Sequence, residues 1–95
     1  MAYVVYHFIQ GGHPGRCSYE CVSDALYSAV SDLHANDVAP VAITWQGRVL
    51  LDRAAITRVW QACRAELVAD PWHVPANLEA AGRQELEGKL PRSAP

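Results

Sequence analysis

The sequence predicts a small α+β domain: a two-layer sandwich of order β-α-β-β-α, with a three-stranded mixed sheet and two helices on one of its faces. Three observations predict it. An alternating aromatic and β-branched run opens the chain, two later stretches repeat apolar residues at helical spacing, and between them two alternating runs flank a Gln-Gly turn. With 51% of its 95 residues hydrophobic, the chain can fill one modest core but not two.

Residues 2–10 set Tyr3, Val5, His7 and Ile9 on one side and Val4, Tyr6 and Phe8 on the other, which reads as a strand. Glycines from Gly11 to Gly15, with Pro14 among them, break it, and Ser18 then stands where it can cap a helix by accepting from an orphan backbone N–H. Val22, Ala25, Leu26, Ala29, Val30 and Leu33 recur on one helical stripe. That helix ends near Asn36, which tolerates a left-handed conformation, ahead of Pro40. Val41, Ile43 and Trp45, the Gln46-Gly47 turn and the RVLL run form a hairpin. Asp52 caps a second helix whose buried face is Ile56, Val59, Trp60, Cys63 and Leu67, and Pro71 ends it. Residues 76–87 hold good helix formers but a thin apolar stripe and an internal Gly82, giving at most a short surface helix in an otherwise irregular tail. The chain thus divides into a βαββα domain over residues 1–70 and a C-terminal extension over 71–95. The crossover through the first helix makes the first two strands parallel if they share the sheet.

Helices on one face leave the other open, yet the first strand is apolar on both sides. Val4, Tyr6 and Phe8 are therefore expected to form a contiguous patch needing a cover. The candidates are the extension, through Trp72 and Val74, a second copy of the chain joined through the sheet, or a different protein.

The stretch GGHPGRCSYEC admits three chemical readings. His13, Cys17 and Cys21 are candidate zinc ligands, although paired structural cysteines more often sit closer together on a knuckle turn and Cys21 falls in the first helical turn. Cys17 beside Arg16, near a helix N-terminus, is a candidate reactive thiol without an identifiable base. A strand, glycine loop and helix N-terminus would also cradle an anion, but the spacing is not that of a P-loop and no dinucleotide fingerprint is present. The plainer reading makes Cys21 and Cys63 small buried side chains and assigns the protein no cofactor.

Ten acids against eight bases give a nearly balanced chain, which argues against nonspecific nucleic-acid or membrane binding. The start of the chain lacks a basic leader, and an odd cysteine count suits a reducing compartment, so a cytoplasmic protein is expected. Charge is nonetheless segregated. Glu20, Asp24 and Asp32, with Tyr27 nearby, lie opposite the apolar stripe of the first helix as an acidic ridge. Arg53, Arg58 and Arg64 mark a basic strip on the second, where weak, salt-sensitive nucleic-acid binding is the alternative reading. The expectation is a non-enzymatic regulator or inhibitor that binds another protein stoichiometrically, through the acidic ridge or the sheet face. The same element order recurs in small stand-alone proteins, including phage- and mobile-element-encoded inhibitors of host defence or nucleic-acid-processing complexes, but architecture alone does not fix function.

Overall fold

A computed structural model describes residues 3–89 and contains seven elements. These are β1 (Val4–Gln10), β2 (His13–Tyr19), α1 (Val22–Ala35), β3 (Ala39–Trp45), β4 (Arg48–Asp52), α2 (Arg53–Ala69) and α3 (Leu78–Leu86). The α+β class is as expected, but the sheet has four strands rather than three, in the order β2-β1-β3-β4, and every neighbouring pair is antiparallel.

The additional strand lies in the glycine-rich stretch. Gly11 and Gly12 both take positive φ, 58° and 81°, so the chain reverses in a two-residue hairpin and His13–Tyr19 returns along β1. HPGRCSY has weak strand propensity, and two features make it tolerable. Pro14 lies on an edge strand, where a missing backbone donor is least harmful, and Phe8 lies across Gly15, with one ring carbon 2.5 Å from where a Cβ would stand. Because β2 intervenes, Ser18 belongs to a strand, and the cap position of α1 is Cys21, whose side chain makes no capping bond. The hairpin also reverses the expected direction: β3 runs antiparallel to β1, and the α1 crossover instead links β2 to β3 across it.

Elsewhere the local signals hold. Asn36 closes α1 at φ 63°, Gln46 and Gly47 make the second hairpin turn at φ 51° and 77°, and Asp52 accepts from the Ala55 N–H at 2.8 Å to cap α2. One core joins Val4, Tyr6, Ile43 and Leu51 of the sheet to Leu26 and Val30 of α1, Ile56, Val59 and Leu67 of α2, and Leu78 of α3. Each such aliphatic side chain, fully buried, contributes roughly 1.5–3 kcal/mol relative to exposure.

Two corrections concern the faces. Val4 and Tyr6 are buried beneath the helices with Phe8 packed against them, so the patch expected on the open face lies in the core. The side turned away carries Tyr3, Val5, His7 and Ile9. Both pleats of β1 are apolar, so alternation alone does not choose between them. The described part of the C-terminal extension does contain the short helix allowed for it, α3, but that helix joins the helical layer instead of covering the sheet. Gly82, which weakens the helix locally, is the contact point: a Cβ there would stand 2.5 Å from a Leu26 methyl carbon. The turn that leads into α3 is tied to α2, where the Glu66 carboxylate accepts from the Ala76 and Asn77 backbone N–H groups just ahead of the helix.

Candidate functional site

Two surfaces stand out: a groove between α1 and α3, and the open face of the sheet. The groove encloses about 1100 Å³. Its floor is made by Val22, Leu26 and Tyr27 of α1 and by Leu78, Gly82 and Leu86 of α3, with Val74 and Pro75 closing one end. Asp24, Glu79 and Glu87 line it against a single base, Arg83, which is tied to Glu79 at 2.8 Å. An apolar floor under a net negative rim suits a cationic, amphipathic occupant. Beyond Val74 the α2–α3 connection projects Trp72, 89% exposed, from a turn in which Asp70 accepts the Trp72 N–H at 3.1 Å and pairs with His73. The His73 ring and the Trp72 N–H hold the Asp70 carboxyl below the usual carboxylate range.

The acidic ridge is only partly present. Glu20 and Asp24 are exposed, and Asp24 and Tyr27 line the groove, whereas Asp32 turns inward and accepts from the buried Tyr6 hydroxyl at 2.8 Å. Asp32 follows Ala25 by seven residues, about 20° around the helix, so it sits at the border of the apolar stripe rather than opposite it. Burial raises the Asp32 carboxyl above its ordinary value, with the Tyr6 hydrogen bond acting against that shift. Desolvation, then the hydrogen bond to Asp32, push the Tyr6 phenol up. Beside this pair the Tyr19 hydroxyl donates to Ser28 at 2.7 Å, tying β2 to α1.

The opening stretch does not assemble the chemistry considered for it. His13 and Cys17 are four residues apart along an extended strand, roughly 14 Å, and Cys21 lies beyond at the helix cap. Among the described residues no group of three or more His, Cys, Asp or Glu side chains is placed to hold a metal ion. Cys17 is exposed in the middle of β2, four positions before the cap, so the α1 dipole does not act on it as expected. The glycines turn a hairpin and do not lead into a helix N-terminus, which removes the anion cradle. Cys63 is buried as anticipated, and burial raises its thiol.

The basic strip is largely committed to internal partners. Arg58 makes a bidentate pair with Glu85 of α3, the closest approach being 2.7 Å, and the Glu85 carboxyl is lowered by it. Arg64 lies 5.4 Å over the Trp60 ring, whose Nε1–H donates to His34 Nδ1 at 3.2 Å. Of the three arginines, Arg53 alone has no side-chain partner among the described residues.

The groove's α3 wall was missed by the sequence reading, yet Leu78, Gly82 and Leu86 recur every fourth residue and carry the signal. A glycine in such a stripe can be the point of closest helix approach. No helix of the described residues is long and apolar enough to cross a membrane. No family model, no curated protein and no solved structure matches the chain.

Proposed function

We propose that this chain is a non-enzymatic, cytoplasmic regulator or inhibitor that binds a basic, amphipathic segment of another protein in the groove between α1 and α3. The observation that carries this reading is the groove itself, an apolar floor rimmed by Asp24, Glu79 and Glu87 with one already-paired arginine. Lysines or arginines along such a segment would meet the rim while its apolar face meets Tyr27, Leu78 and Leu86. Trp72, held at one end by the Asp70 turn, is suited to close over the segment as an aromatic anchor.

A labelled, leucine- and lysine-rich helical peptide of about 14 residues tests this by fluorescence anisotropy. It should bind, and the same sequence with glutamates for lysines should not. Asp24→Lys should weaken binding about 10-fold, with the loss shrinking at high salt. Glu20→Lys, outside the groove lining, should have a much smaller effect, which separates the groove from the broader ridge. Equal binding of both peptides, or an Asp24→Lys variant that binds as well as the parent, would sink the proposal.

A further inference from the structure

Glu79, Arg83 and Glu87 all line the groove, and they follow one another at four-residue steps. Four residues of helix advance about 6 Å and turn slightly more than one full circle. The three side chains therefore stand in a column along one edge of α3, the last of them just past its end. The column reads acid, base, acid. A helical partner lying beside α3 presents its own side chains at the same interval, so each place in the column faces one place on the partner.

Arg83 decides what the middle place takes. On α2, Arg58 gives the Glu85 carboxylate both its Nε–H and a terminal nitrogen, whereas Arg83 gives Glu79 one terminal nitrogen alone, at 2.8 Å. The other donors of Arg83 have no side-chain partner among the described residues, and its side chain is 77% exposed. A guanidinium offers five N–H donors in a planar fork, so Arg83 can keep Glu79 and still bind a second carboxylate. A lysine at the same place would meet its charge and be repelled. On the reading of the groove as a site for a basic segment, we infer that Arg83 is its specificity-determining residue and binds a carboxylate of the partner. The segment the groove selects thus carries lysine, glutamate and lysine at four-residue steps, not an unbroken basic edge. The outer lysines meet Glu79 and Glu87, and a cation on the opposite flank meets Asp24 of α1.

Fluorescence anisotropy with three labelled, leucine- and lysine-rich helical peptides tests the inference. They differ only midway between two lysines spaced to face Glu79 and Glu87, where they carry glutamate, glutamine or lysine. The parent should bind them in that order, with glutamate ahead of lysine by about 5-fold at low salt and by less at high salt. Arg83→Gln gives up one exposed ion pair, so it should melt close to the parent, and it should bind the three within about 2-fold of one another. Arg83→Glu should reverse the order, with the lysine peptide tightest. An arginine that only steadied α3 would change all three affinities alike and leave their order intact. A parent that binds the lysine peptide as tightly as the glutamate one, or an order that survives in Arg83→Glu, overturns the role of Arg83 and leaves the basic-segment reading standing. Failure of all three peptides to bind the parent overturns that reading and the inference with it.

Discussion

The groove and the open sheet face are both partly apolar, but their charges are arranged differently. The groove is concave and negatively rimmed, so two copies of it repel one another, and a partner must bring the opposite charge. The sheet face has no such rim: its central rows hold His7, Ala42, Val5 and Thr44, Arg16 stands at one edge, and the Asp52 carboxylate at the other is taken up by the N-terminus of α2. Apolar exposure alone would rank the two as equivalent; the placement of the few charges separates them.

The sharpest way to break this comparison is to remove one region while keeping the other. Leu78 is the buried anchor of α3 and forms part of the groove floor. Leu78→Ala should cost about 2–5 kcal/mol in urea-induced unfolding and abolish peptide binding under conditions where the variant stays folded. Peptide binding as tight as the parent's in a folded variant would show that α3 does not form the site. Gly82→Ala acts more gently at the same contact. Its methyl must displace Leu26, an overpacking cost of about 1–3 kcal/mol, against a helix-propensity gain of up to about 1 kcal/mol. The net effect should be a modest fall in melting temperature and a narrowed groove that binds the basic peptide more weakly.

Legibility in the sequence follows the same division. α1, α2, the second hairpin and the Asp52 cap were readable because each rests on a local signal: apolar period, a turn that demands positive φ, or a side-chain acceptor ahead of a helix. β2 was not readable, because its proline, glycine and arginine oppose strand propensity and only pairing with β1 makes it a strand. Once it was missed, the strand direction and the nature of the glycine stretch went with it. The open face was legible as a surplus of apolar strand, but not as particular residues, since Val4, Tyr6 and Phe8 compete on equal terms with Val5, His7 and Ile9. The groove was half legible: Asp24 and Tyr27 were identified from α1, whereas α3 was read as at most a short surface helix because its apolar stripe is thin and Gly82 looked like a weakness.

The smallest expected effect tests the layer that separates the two surfaces. Tyr6 comes from the strand whose other pleat forms the open face, and Asp32 comes from the helix whose other side forms the groove. Tyr6→Phe deletes the donor and should cost about 1 kcal/mol. It should also raise the Asp32 carboxyl further, because the Tyr6 hydrogen bond is what opposes the burial shift. The pH dependence has a definite sign. A carboxyl raised on folding binds its proton more tightly in the folded state. The stability it contributes is therefore present in full below the ordinary carboxylate range and is lost as pH rises through the raised value. Asp70 and Glu85, held low by His73 and Arg58, act in the opposite sense: their contribution exists above the ordinary range and is lost as pH falls through their lowered values. Asp32→Asn keeps an acceptor for Tyr6 but removes the first of these opposing effects. Between about pH 7 and about pH 3, the melting temperature of this variant should therefore fall more steeply on acidification than that of the parent. Parallel curves for the two would mean that Asp32 titrates alike in the folded and unfolded chain, and that the contact between β1 and α1 is set by packing alone.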